Sequence, residues 1–180
     1  MSLIVIHRDN GVIAARAQLD EDRVTRHRTD HRVTACHIPF TAFTNDLAIG
    51  RTLSARAAIH TFMAGGYIRP ASTTVLGSDA LQSIARLKAD IAFIGTHAMT
   101  ADDLSDTSIE LAEFKRAILL AARRVVLLVD SSKIFSRAFC SFGRTTDVGM
   151  IITDDRISAA ARADLRARGI PVELVAGNAE

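Results

Sequence analysis

Cysteine is scarce in this chain. Its two cysteines, Cys36 and Cys140, stand too far apart for a metal knuckle or a disulfide framework. The start of the chain has no signal-like run, so both are expected to be reduced thiols in a cytoplasmic protein. An excess of one charge is also missing. A net charge of +2 provides no large positive field, which disfavours direct binding of nucleic acid. Long apolar runs are absent too. The longest, residues 117–129, is interrupted by Arg123 and Arg124, so no segment is expected to span a membrane. There is no G-x-S-x-G, no P-loop and no G-x-G-x-x-G, and no cofactor is expected. Lysine is rare: only Lys88, Lys115 and Lys133 among 22 basic side chains, the others being arginine. Against such a skew, the lysines that remain have the stronger claim to a chemical role. The rest is an ordinary globular composition, 48% hydrophobic and 23% charged, in a chain of 180 residues. That is long enough to bury a core without covalent staples.

The chain changes character near residue 33. Residues 7–32 are dense in mixed charge and poor in large apolar side chains. The expected organisation is an atypical charged segment at 1–32 and one folded domain at 33–180. Short apolar runs at 38–43, 58–64, 89–94, 125–129, 150–152 and 172–175 suit buried strands. Between them, residues 46–55, 79–87, 108–123 and 158–168 carry helical patterns. The third is the clearest, with Leu111, Phe114, Ile118 and Ala122 on one stripe and Glu110 near its start. Gly169 and Pro171 stop the last. Alternating strands and helices predict an α/β fold, a mostly parallel open sheet with helices on both faces. In such sheets ligands bind beyond the carboxyl ends of the strands. Those ends read Thr44-Asn45-Asp46, Gly65-Gly66, Gly95-Thr96-His97, Asp130-Ser131-Ser132-Lys133 and Thr153-Asp154-Asp155. Small, polar and basic residues collect there, as a binding edge requires.

Each local motif has two readings. Asp130-Ser131-Ser132-Lys133 offers hydroxyls, amides and an ammonium to a phosphate or carboxylate. It also suits a polar turn with Asp130 or Ser131 as cap. Gly65-Gly66 permits close backbone approach to a ligand, or simply a tight turn. Glu113 and Lys115 are two apart on one helix, so at most one faces the sheet edge squarely. His27 and His31 have a zinc-like spacing, but no Glu or Cys completes it, and no metal is expected. Asp102, Asp103 and Asp106 lack metal-loop spacing and read as a solvated turn.

Taken in order, several segments form one series. It runs from Thr44-Asn45 through Ala64-Gly65-Gly66-Tyr67-Ile68-Arg69-Pro70 and Val75-Leu76-Gly77 to residues 89–95. It continues through Glu110 to Lys115-Arg116, then Val129-Asp130-Ser131-Ser132-Lys133, and closes on Ile152-Thr153-Asp154-Asp155. From about residue 38 to 176 this series resembles the C-terminal effector domain of DeoR-family bacterial transcriptional regulators. The resemblance implies a fold similar to the ribose-5-phosphate isomerase and CoA-transferase-like proteins. It implies a phosphorylated sugar, or a derivative, as effector. The implied ligand-binding set is Thr44, Asn45, Gly65, Gly66, Arg69, Gly77, Gly95, His97, Glu113, Lys115, Asp130, Ser131, Ser132 and Lys133. A homo-oligomer, most simply a dimer, is implied as well. In the family a winged helix-turn-helix binds operator DNA; residues 1–32 show no such pattern, so DNA contact is expected only through a domain not present here. Two further departures stand out. The family's Asp-Ser-Gly-Thr-Thr-like phosphate loop has no counterpart ahead of Thr44. Its Gly-Ala-Asp-Gly reads Gly95-Thr96-His97-Ala98, an imidazole in place of a carboxylate. The expected role is a ligand sensor, not an enzyme; a sugar-phosphate isomerase is the alternative, with Glu113 as the remaining base.

Overall fold

The computed structural model describes residues 4–7, as backbone, and residues 39–175. Cys36, His27, His31 and the rest of the segment at 8–32 lie outside the described residues. In chain order the elements are β1 (Ile4–His7), β2 (Phe40–Thr44), α1 (Leu47–Ser54), β3 (Ile59–Met63), β4 (Tyr67–Ile68) and β5 (Val75–Leu76). Then follow α2 (Ser78–Ala85), β6 (Ala89–Gly95), β7 (Ala98–Met99), β8 (Asp103–Asp106), α3 (Ile109–Ala121) and β9 (Ala122–Leu128). The last are β10 (Cys140–Arg144), β11 (Met150–Asp154), α4 (Ala159–Ala167) and β12 (Val172–Val175).

Seven strands make the central sheet, in the order β12-β11-β9-β6-β1-β2-β3. Six are mutually parallel; β1 runs against both neighbours, β2 and β6. The expected mostly parallel α/β sheet is therefore present. Residues 4–7, inside the segment set apart at 1–32, supply one of its inner strands. Side chains alternate strictly between the two faces. Ile94, Val125, Leu127 and Ile151 join one core with Ile84 of α2, Phe114 and Ile118 of α3 and Leu165 of α4. Phe93, Val126 and Ile152 join the other, with Ile49 and Leu53 of α1. Helices thus cover both faces. Burying one such large apolar side chain contributes about 1.5–3 kcal/mol, so this alternation is what fixes strand register.

Helix starts follow their caps. The carboxylate of Asp46 accepts from the Ala48 and Ile49 amides, and the hydroxyls of Ser108 and Ser158 accept from Leu111 and Ala161. One boundary departs from expectation. Helix α3 stops at Ala121 instead of reaching Arg123, and β9 begins at the next residue. Ala122 pairs with Ala89 and Arg124 with Ile91. Ladder pairing outweighs the helical pattern, which no Gly or Pro interrupts. Two small antiparallel units, β4-β5 and β10-β8-β7, were also unforeseen: β4, β5 and β7 have two residues each and carry no readable period, and β8 and β10 are short, mostly polar segments without an apolar run.

Candidate functional site

Because β2, β3, β6, β9 and β11 are parallel, the segments that follow them emerge at one edge of the sheet. Thr44-Asn45, Gly65-Gly66, His97, residues 130–133 and Asp154 all lie there. Strand β1 reaches this edge with its first residue, since Ile4 stands opposite both Thr44 and Phe93. The chain consequently leaves β1, after His7, at the opposite edge.

The turn after β9 is the most constrained part of the edge. Residues 131–133 form one 3-10 turn. The Asp130 carboxylate caps it, accepting from the Ser132 amide at 2.8 Å. Ser131 donates twice to Asp154, from its amide and its hydroxyl, both at 2.7 Å. Arg156 adds its backbone amide and its Nε to the same carboxylate, each at 3.1 Å, and its guanidinium lies 3.6 Å from Asp130. Burial alone would push the Asp154 carboxyl up. The donors from Ser131 and Arg156 outweigh that and hold it at about 2. Ser131 is thereby committed to the fold. Ser132 is exposed and Lys133 half-buried, and among the described residues neither side chain has a hydrogen-bond or ion-pair partner.

A second cluster adjoins this turn. In the β7-β8 pairing Ala98 stands opposite Ser105, which carries His97 across from Asp106. Ile134 bridges to Met99, and the Ser136 amide donates to the Met99 carbonyl, so the Lys133 turn lies against the same strand. Asp106 is not in a solvated turn. It is buried, and its Oδ2 pairs with the Lys115 ammonium; both side chains are 5% exposed. The Lys115 ammonium lies 5.3 Å from the centre of the Phe142 ring. Burial pulls the Lys115 pKa below its ordinary value despite the Asp106 charge, and nearby Lys133 adds to the effect. For Asp106, burial acts upward, but Lys115, the Thr107 amide and the His97 charge together leave its pKa lowered.

The remaining expected residues build a platform at the β2-β3 end. Thr44 and Asn45 are buried. The Asn45 Nδ2 donates to the Val75 carbonyl at 3.1 Å, and the Val75 amide donates to the Asn45 carbonyl at 2.7 Å. They hold the β4-β5 hairpin onto β2, with help from the Thr73 hydroxyl, which donates to Asp46 at 2.6 Å. The Asn45 Oδ1 is buried with no partner among the described residues. Gly66 and Gly77 bracket the hairpin at φ +130° and +119°. A Cβ on Gly66 would stand 2.1 Å from the Leu76 carbonyl oxygen, so only glycine fits. Arg69 is half-buried in this hairpin, near the Tyr67 phenol. The Tyr67 hydroxyl donates to Glu110 at 2.6 Å and ties the hairpin to the start of α3. Glu113, one turn further, is exposed, while Lys115 is buried, as their spacing requires. Gly95 closes β6 opposite Leu128.

The edge therefore brings His97, Lys115, Ser132 and Lys133 into one neighbourhood. Thr44, Asn45 and Ser131 sit beneath it with their polar groups turned to the fold. Asp106, Asp154 and Arg156 were missing from the expected set. The strand-end position of Asp154, beside the strand that carries Ser131, could have marked it; nothing local marks Asp106. No group of three or more His, Cys, Asp and Glu among the described residues could hold a metal ion. No described helix is long and apolar enough to cross a membrane.

Comparison with known proteins identifies the family to which the chain belongs. The family model "DeoR C terminal sensor domain" matches residues 32–155. The chain is 28% identical to the putative aga operon transcriptional repressor of Escherichia coli O157:H7 over 145 residues, 80% of this chain and 54% of that one. It is 27% identical to the HTH-type transcriptional repressor GlcR of Bacillus subtilis (strain 168) over 170 residues, 92% of this chain and 65% of that one. It is 29% identical to the glycerol-3-phosphate regulon repressor of Escherichia coli (strain K12) over 112 residues, 62% of this chain and 44% of that one. The chain thus spans about half to two thirds of the length of these curated relatives. With a family model matched over more than half its length, and transcriptional repressors as relatives, the chain belongs to the DeoR C-terminal sensor domain family.

Proposed function

We propose that this chain is the effector-sensing part of a DeoR-like transcriptional regulator, and that it binds a phosphorylated sugar or a derivative at the strand edge. The observation that carries this reading is the 3-10 turn at 131–133, locked from below by Asp154 and presenting Lys133 without a partner among the described residues. An ammonium and a hydroxyl, neither with a partner among the described residues and both held on a fixed turn, suit a phosphate, while the amides of residues 131–133 are taken by Asp154 and Asp130. Lys133 and Ser132 take the phosphate. Gly65, Gly66, Arg69, His97 and Glu113 line the path for the sugar. Thr44, Asn45, Gly77, Gly95, Asp130 and Ser131 shape the edge, and Lys115 acts from below. Binding is coupled to DNA through a helix-turn-helix outside the sensor domain, which we assign to residues 33–180 together with the inner strand at Ile4–His7, in a cytoplasmic protein.

The domain senses rather than catalyses. Aldose–ketose isomerisation needs a carboxylate free to move a proton between carbons. Asp106, Asp130 and Asp154 at this edge are each engaged by neighbouring donors, which leaves the exposed Glu113 as the carboxylate the isomerase alternative would have to use. A ribose 5-phosphate isomerase assay should give no turnover. A homodimer is the expected assembly, favoured by the exposed Phe62 and Met63 on β3, one of the two edge strands of the sheet. Analytical ultracentrifugation should find a dimer at micromolar concentration; a monomer refutes it. The ligand reading is tested by thermal shift against a panel of sugar phosphates. A ligand at 100 times its Kd stabilises by about 2.7 kcal/mol. A panel that shifts nothing contradicts the reading.

A further inference from the structure

The two edge strands of the central sheet, β12 and β3, are unlike. Strand β12 is a guarded edge: Pro171 precedes it, and the exposed Glu173 lies within it. Strand β3 has neither device. Residues 59–68 contain no Asp, Glu, Lys, Arg or Pro, and the register of β3 on β2 runs without a bulge. Among the described residues, nine large apolar side chains are exposed. Four of them, Phe62, Met63, Tyr67 and Ile68, fall within 59–68, and Phe62 is 59% exposed. An open, uncharged, apolar edge strand is a template for another strand.

The backbone of β3 sets where that strand must sit. The Phe40 amide donates to the Ala58 carbonyl, and the Ala64 amide donates to the Thr44 carbonyl. The even residues of β3 therefore turn their backbone groups to β2, and the odd ones, Ile59, Thr61 and Met63, turn theirs outward. The Ile59 amide is taken by the Arg56 carbonyl. Thr61 and Met63 remain, with both outward groups unpaired among the described residues. A second copy satisfies both at once. In antiparallel pairing about a two-fold axis, Thr61 of each chain exchanges both bonds with the partner's Met63. The axis then passes beside Phe62, which faces the partner's Phe62. That is a non-hydrogen-bonded pair, the closer of the two kinds, with Cα atoms about 4.5 Å apart. Aromatic side chains facing each other across strands attract. With no charged residue in 59–68, the seam brings no like charges together. A surface that complements itself is what a two-fold interface requires.

We propose, resting on the reading of the protein as a homodimer, that two copies of this chain join edge to edge, β3 antiparallel to β3, with the two-fold axis at Phe62. The two seven-stranded sheets then form one continuous sheet. Because the joined strands run in opposite directions, the two candidate sites open at opposite edges of it. Each lies close to the seam, since β3 leads through Ala64 directly into Gly65-Gly66.

The test combines cross-linking with charge variants of the full chain, each checked for folding by circular dichroism. Cysteines are introduced singly into a Cys36→Ser/Cys140→Ser background. Phe62→Cys should give a disulfide-linked dimer on a non-reducing gel after mild oxidation, because its Cα separation lies within disulfide reach. Thr61→Cys and His60→Cys should not link, because the axis at Phe62 holds each about 8 Å or more from its own copy. In ultracentrifugation, Phe62→Glu and Phe62→Lys should each weaken self-association about 100-fold or more, by losing the central aromatic pair and setting like charges opposite each other. An equimolar mixture of the two should form the mixed dimer. A dimer in which Thr61→Cys or His60→Cys links as readily as Phe62→Cys overturns this inference alone. So does unchanged association of Phe62→Glu, or a mixture that stays monomeric. A wild-type chain that is monomeric at micromolar concentration overturns the homodimer reading, and this inference with it.

Discussion

Replacing Asp154 by asparagine removes one negative charge from beneath the Lys133 turn and almost preserves its shape. In the folded chain the Asp154 carboxyl is held at about 2, against an ordinary 3.8. Its residue is buried, so solvent does little to screen the interaction. By linkage, that gap is worth about 2 kcal/mol at neutral pH. The folded value lies below the unfolded one. The stabilisation is therefore complete above pH 4 or so, and is lost as pH falls from about 4 to about 2. Asparagine at 154 still accepts from the Ser131 amide but gives up the charge that Arg156 and Ser131 meet. At pH 7, Asp154→Asn should lower stability by about 2 kcal/mol, or Tm by about 4–8 °C for a chain of this size. The difference from wild type should shrink steadily below pH 4. Urea unfolding at a series of pH values measures both. A constant difference from pH 7 to pH 2.5, or no difference at pH 7, would show that Asp154 does not hold the turn through its charge.

Gly66→Ala should destabilise by at least about 2 kcal/mol, from backbone strain at φ +130° and from the approach to the Leu76 carbonyl; an unchanged Tm would refute the account of the hairpin. Lys115→Met strands the buried Asp106 charge and should cost about 3–5 kcal/mol, while the double variant Asp106→Leu/Lys115→Met should recover most of it. Additive losses in urea unfolding would mean that the pair does not act as a unit.

The parallel sheet was legible because its strands and helices are long enough to show a period. The alternation of Val125, Val126 and Leu127, and the stripe of Leu111, Phe114 and Ile118, are local properties. The Lys133 turn followed from its place after the most apolar strand. Even the opposite fates of Glu113 and Lys115 follow from helical spacing. What stayed hidden depends on tertiary contact. The run Ile4-Val5-Ile6 is apolar and β-branched and could have been read as a strand, but its place between β6 and β2 could not. The junction between α3 and β9 has no breaker, and only the pairing of Ala122 with Ala89 places it. Asp106 reads as one more acidic loop residue until β8 is laid beside β7 and under α3. Then the partner of Lys115 becomes visible, and with it the difference between a paired lysine and an available one.

The central claim is that the edge at Lys133 binds phosphate, and calorimetry on two lysine variants tests it most directly. Lys133→Ala removes the presented ammonium. Lys88→Ala removes the same charge from an exposed residue just before β6 begins, at the opposite edge of the sheet. Both are titrated with the sugar phosphate that gives the largest thermal shift on wild type. Lys133→Ala should weaken binding by about 1.5–3 kcal/mol, the worth of a charged hydrogen bond, and Lys88→Ala should leave affinity unchanged. Equal affinities for wild type and Lys133→Ala, or equal losses in the two variants, would contradict it.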